Sequence, residues 1–218
     1  ASDVYKRQDR VHVQPNAYDF DRIEALAAEP LPTSSDGRFR ILTVGRIDED
    51  KGHADLLAAL DELVRQRGQS DIVWQIIGTG PDEAKLRQQV KDRGLTDHVQ
   101  FLGVQPNPFP YYRAADVFCL PSRSEGLPNV LIEALACGTP VIAADCPSGP
   151  REVLADGRFG TLTPVRDPAA LAAALAEFRQ HPENLRAVAI AGREWVRQNY
   201  AADVVIRRLE ALFEEVAR

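Results

Sequence analysis

From residue 38 onward the chain beats regularly between short, apolar, β-branched segments and longer segments compatible with helix, and this rhythm constrains the fold more than any other feature. Strands are predicted over residues 39–44, 72–77, 99–102, 117–120 and 141–144, with a short one around Thr161. Helices fall between them over 53–67, 81–93, near 110–114, within 121–140, and near 151–154. Strands that alternate with helices in this way fold as a parallel sheet covered on both faces, so the expected class is α/β with a doubly wound, Rossmann-like sheet. Right-handed crossovers then gather the loops that follow the strands on one edge, where open α/β sheets bind ligands. Three further helices are predicted over 168–179, 182–199 and 202–218, the last carrying Val205, Leu209, Leu212 and Val216 at helical spacing.

Upstream of this rhythm the pattern changes. Residues 10–16 (RVHVQPN) alternate like a strand and end in a Pro15-Asn16 turn, residues 23–28 are helix-compatible, and residues 29–37 are rich in Pro, Ser and Thr and read as a linker. The 218 residues contain no methionine, and the opening ASDVYKRQ resembles translated adapter sequence. Residues 1–8 are therefore expected to be a non-native leader, 9–37 a connecting segment, and 38–218 the folded domain of a longer protein.

Composition removes several functions. A net charge of −6 without a basic tract argues against nucleic acid as partner, and no apolar run approaches the ~18 residues that a membrane helix requires. The expected compartment is the cytoplasm. Cys119, Cys137 and Cys146 follow no ligand or redox spacing and read as buried thiols, while His12, His53, His98 and His181 are scattered, so no metal site is expected.

Residues 121–140 (PSRSEGLPNVLIEALACGTP) carry the most chemistry. Pro128 suits a first helical turn, Gly138 and Pro140 close the helix, and Glu125 and Glu133 stand eight positions apart, about 12 Å if the helical rise holds throughout. A carboxylate accepts hydrogen bonds from two neighbouring hydroxyls, and the N–H groups of Gly126, Leu127 and Asn129 at a helix N-terminus favour phosphate. The order diol, phosphate, diol outlines a nucleoside diphosphate sugar. An ordinary loop acid and a helix-face acid with a basic partner fit the spacing equally well. After the first predicted strand, GRIDEDKGH supplies Arg46 and Lys51, which suit a diphosphate or, alternatively, local pairing with Asp48, Glu49 or Asp50. Gly78 opens a turn that permits close backbone approach, and Leu102 offers an apolar wall to a base or simply fills core. No GxGxxG fingerprint occurs.

Taken together, GRIDEDKGH, IIGTGP, FLG, SEGLPNVLIEALACGTPVIA and CPSGPREVL resemble the C-terminal, donor-binding domain of retaining glycosyltransferases built from two Rossmann-like domains, the group 1 or family four enzymes of GT-B architecture. RVHVQPNAYDF is similar to the segment that enters that domain. The resemblance implies a donor-binding set of Gly45, Arg46, Lys51, Gly78, Leu102, Glu125, Gly126, Leu127, Asn129 and Glu133. Arg46, Lys51 and Glu125 would lie closest to the reaction: Glu125 on the transferred sugar, Glu133 on the ribose, and Arg46 and Lys51 on the diphosphate as it departs. The family needs no metal or other cofactor and has no well-defined protein nucleophile. It further implies a UDP-sugar as first donor, transfer of a hexose or N-acetylhexosamine to a glycan or lipid-linked acceptor in bacterial envelope polysaccharide synthesis, and an N-terminal acceptor domain missing here. Without that half the chain is expected to be inactive, and any peripheral association with the inner membrane face would run through it. A non-catalytic nucleotide-sugar binding module is the alternative; an epimerase or a dehydrogenase finds no matching constellation.

Overall fold

The computed structural model describes residues 14–31 and 37–216. The part of the predicted 10–16 strand before residue 14, the leader, the linker core at 32–36 and the last two residues lie outside them. Six parallel strands, β1 (Phe39–Val44), β2 (Ile72–Ile77), β3 (Val99–Gly103), β4 (Val117–Leu120), β5 (Val141–Ala144) and β6 (Thr161–Thr163), form one sheet in the order β3-β2-β1-β4-β5-β6. The expected doubly wound α/β class is the one observed. The helices are α1 (Phe20–Ala27), α2 (His53–Asp61), α3 (Glu83–Asp92), α4 (Phe109–Ala114), α5 (Asn129–Ala136), α6 (Pro150–Val153), α7 (Pro168–Gln180), α8 (Pro182–Tyr200) and α9 (Ala202–Val216). A π-helical stretch, Glu62–Gln66, prolongs α2 to nearly the predicted length.

Side chains alternate across each strand, so consecutive residues serve different cores. Ile41, Val117, Cys119 and Ile142 pack with α2, α3 and α7, whereas Leu42, Phe118, Leu120, Val141 and Ala143 pack with α1, α4, α5, α6 and α8. Burial on both faces explains why β2 reads IVWQII, an almost continuous apolar run. Its Trp74 indole satisfies its N–H by donating to Thr43 Oγ1 at 3.0 Å.

Two sequence expectations change. Pro128 stands before α5 with ψ 89°, so it caps the helix rather than entering its first turn. The 12 Å estimate therefore loses its basis, because residues 125–128 do not rise helically. The helix predicted at 23–28 forms earlier, at Phe20–Ala27, with the Asp19 side chain accepting from Arg22 N, and buries Phe20, Ile23 and Ala27. Helix α9 buries only Val205. Among the described residues no helix is long and apolar enough to cross a membrane.

Candidate donor site

The sheet order reverses direction between β1 and β4, which pair with each other. Helix α2 leaves β1 toward one face and α5 leaves β4 toward the other, which makes the C-terminal ends of β1 and β4 the switch-point crevice at which open α/β sheets bind ligands. Lys51 and Glu125 meet across it: Lys51 Nζ lies 2.7 Å from Glu125 Oε1, with side chains 29% and 9% exposed. The pair was not expected from the sequence, which set Lys51 on a phosphate or on neighbouring acids. It neutralises a carboxylate that would be costly to bury alone. Arg46 takes the local alternative, its Nε 3.5 Å from Asp48 with the guanidinium largely in solvent.

Backbone contacts hold these loops in register. Arg123 N donates to Asp50 O at 2.7 Å, its guanidinium reaches Glu49 at 2.7 Å, and Ser148 Oγ donates to Glu125 O at 2.6 Å. Gly78 adopts φ 127°, and a Cβ there would sit 1.9 Å from Gly45 O; Gly149 adopts φ 90°, and a Cβ there would sit 2.1 Å from Gly126 O. The loops after β1 and β2, and those after β4 and β5, thus touch backbone to backbone. Gly45 N–H donates to Ile77 O and Gly78 N–H to Gly103 O, tying the first three loops together. Leu102, at the end of β3, is half-buried on the α5 side of the sheet.

Helix α5 carries the remaining polar groups. Gly126 and Asn129 are exposed at its N-terminal approach, and Leu127 packs into the core beneath. Glu133, one turn further in, accepts from the Tyr112 hydroxyl at 3.0 Å, and burial holds its carboxyl above the usual carboxylate range. Tyr112 is itself fully buried, and Thr139 Oγ1 donates to its carbonyl at 2.7 Å. Asn129 Oδ1 accepts from Tyr18 Oη at 2.6 Å and Asn16 Nδ2 at 2.9 Å. Sequence reasoning missed Tyr112, Tyr18, Asn16, Arg123 and Ser148, since each acts through a partner more than twenty residues away and leaves no local signal. Of the predicted set, Lys51, Glu125, Gly126, Asn129 and Glu133 border the crevice and α5, with Gly45 and Gly78 on the adjoining loops and Leu102 at the end of β3. Among the described residues no group of three or more His, Cys, Asp or Glu is gathered to hold a metal ion. The cysteines are free, and burial pushes the Cys137 thiol up to about 12.

The chain is 39% identical over 181 residues to a phosphatidyl-myo-inositol mannosyltransferase of Mycobacterium leprae, covering 81% of this chain and 46% of that protein. It is 37% identical over 150 residues to the N-acetylgalactosamine-N,N'-diacetylbacillosaminyl-diphospho-undecaprenol 4-alpha-N-acetylgalactosaminyltransferase of Campylobacter jejuni subsp. jejuni, covering 69% of this chain and 39% of that one. It therefore spans less than half the length of these relatives. The fold matches that of Anabaena Alr3699/HepE in complex with UDP, with a TM-score of 0.80 and 21% identity over 94% of this chain and 57% of that one. The family model for glycosyl transferases group 1 matches residues 30–195, and with the doubly wound sheet and its switch-point crevice the chain belongs to that family.

Proposed function

We propose that this chain is the donor-binding half of a retaining glycosyltransferase that takes a hexose or N-acetylhexosamine from a nucleoside diphosphate sugar, UDP-linked in the first instance, and passes it to a glycan or lipid-linked acceptor in envelope polysaccharide synthesis. The observation that carries the reading is the Lys51–Glu125 pair across the β1/β4 crevice, backed by Asn129 and Glu133 on α5. A diphosphate entering there offers Lys51 a second anionic partner, and Glu125, released from the ammonium, accepts hydroxyls of the sugar. Glu133 takes the ribose hydroxyls with the carboxylate lone pairs that Tyr112 leaves open. Arg46, exposed and only loosely paired, folds over the phosphates and stabilises charge on the departing nucleotide, a role that no bound metal has to supply. No residue acts as nucleophile. The lipid-linked acceptor is supported by the Campylobacter relative, whose name specifies a diphospho-undecaprenol, and UDP by the complex of the Anabaena protein.

Isothermal titration with UDP, GDP and ADP tests the reading. One nucleotide, UDP by expectation, binds, and Arg46→Ala and Glu133→Ala each weaken it about tenfold or more, the loss expected for a charge-assisted hydrogen bond. Affinity that survives both substitutions, or a folded chain that binds none of the three at millimolar concentration, refutes it. Chelator in the cell is expected to leave the isotherm unchanged.

A further inference from the structure

Residues 14–19 carry the chain into this domain, and their side chains and backbone are spent on two distant places at once. The main chain of Tyr18 bridges to the α8–α9 junction: its N–H donates to Tyr200 O and its carbonyl accepts from Ala202 N, each at 2.9 Å. Gln14 Nε2 adds a bond to Val205 O at 3.2 Å. The Tyr18 hydroxyl, on the other side, reaches the first residue of α5 and donates to Asn129 Oδ1 at 2.6 Å, where Asn16 Nδ2 also donates at 2.9 Å. A carboxamide oxygen has two lone pairs, and here both are taken. The amide therefore cannot rotate to present its oxygen outward without losing two bonds, and its two N–H donors are left for whatever approaches the exposed end of α5. Burial and the nearby Glu133 charge raise the Tyr18 phenol far above its ordinary range, so it remains a donor at any working pH.

We propose that Tyr18 and Asn16 are positioning residues of the donor site, which hold the Asn129 carboxamide with its N–H groups turned to a nucleotide's phosphates or sugar hydroxyls and so link donor affinity to the segment by which the chain enters the domain. The inference rests on the donor-site reading above. Its physical content is preorganisation: an exposed asparagine at a helix start samples several rotamers, and an anion or hydroxyl must select the one that donates. Two fixed bonds to the oxygen remove that selection before the ligand arrives. Linkage makes the effect reciprocal, so a bound donor steadies residues 14–19 by the same factor that those residues raise its affinity.

The test is a double-mutant cycle in UDP, GDP and ADP titrations of the whole chain, with Tyr18→Phe, Asn129→Ala and the two combined. Tyr18→Phe keeps the ring and loses only the donor; it is expected to weaken nucleotide about 3- to 10-fold with an unchanged melting temperature. In the Asn129→Ala background the same change is expected to cost less than twofold, since the group it acts through is gone. Additive losses, or full affinity in Tyr18→Phe while Arg46→Ala and Glu133→Ala still lose it, overturn the inference and leave the donor reading standing. If the unmodified chain binds none of the three nucleotides, both fall. A second readout needs no ligand: the Asn129 side-chain amide resonances of the free chain are expected to shift in Tyr18→Phe, and an unmoved pair of signals rules the restraint out.

Discussion

Lys51 and Glu125 illustrate how little a residue's role depends on its immediate neighbours in sequence. Asp48, Glu49 and Asp50 all stand within three positions of Lys51, yet its ammonium crosses to an acid seventy-four residues away. Glu125 is nearly out of water and gains most from a counter-ion, whereas the neighbouring acids keep solvent or other partners. His53, two residues beyond Lys51, shows the same principle with the opposite sign. It is buried against Trp74, ring centroids 6.0 Å apart, with Nδ1 unpaired, and burial lowers its pKa to about 4, against the raising influence of Asp48 and with a small addition from Lys51. A folded pKa below the unfolded 6.5 means that the unfolded chain binds the extra proton. His53 therefore leaves stability untouched above about pH 6.5 and withdraws it as pH falls toward 4, by up to on the order of 3 kcal/mol. Urea denaturation at pH 7 and pH 5 is expected to show about 2 kcal/mol of that loss in the native chain and less in His53→Leu; equal losses would remove His53 as the cause.

At the scale of elements, the strands and helices were legible because their periods are local: two for a half-buried strand, 3.6 for a helix, near-continuous apolar runs for the central strands. Boundaries moved where a tertiary contact intervened. Pro128, read as a first-turn proline, stays outside α5, with Gly149 packed so tightly on it and on Gly126 that a Cβ on that glycine would sit 2.5 Å from Pro128 Cδ. The loops form the site only because they can touch. Gly149→Ala is expected to cost at least about 2 kcal/mol, combining a φ of 90° with a Cβ driven into the Gly126 carbonyl, and to abolish nucleotide binding with it. Gly94→Ala is the matched control: its φ is 66° but its Cβ would meet nothing within 4 Å, so about 1 kcal/mol and no change in binding are expected. Equal destabilisation of the two variants in denaturant would show that backbone strain, not loop contact, is what Gly149 relieves.

At the scale of the molecule, the exposed large apolar side chains among the described residues gather mainly on α9. Phe213 is 64% exposed and Val216 74%, with Ile206 half exposed on the same helix and Ile190 70% exposed on α8. The apolar spacing that predicted this helix was correct about its periodicity: along Val205, Leu209, Leu212 and Val216 the first is buried, the next two half-buried and the last exposed. Apolar side chains presented together on one helix favour association. Sedimentation of the isolated chain is expected to show concentration-dependent self-association that Phe213→Glu reduces; a monomer at every concentration would mean that the stripe is too small to drive it.

Local periodicity in the chain was enough for the α/β class, the parallel doubly wound sheet and the edge on which the loops after the strands gather, because strand and helix periods and turn chemistry act over a few residues. Tertiary structure alone decided which residues meet. That Lys51 pairs with Glu125, that Tyr112 rather than a cation faces Glu133, and that Tyr18 reaches Asn129 are consequences of the sheet order, which brings β1 beside β4 and folds the entering segment over α5. Contacts between residues twenty to more than a hundred positions apart have no period, and only the packed chain makes them neighbours.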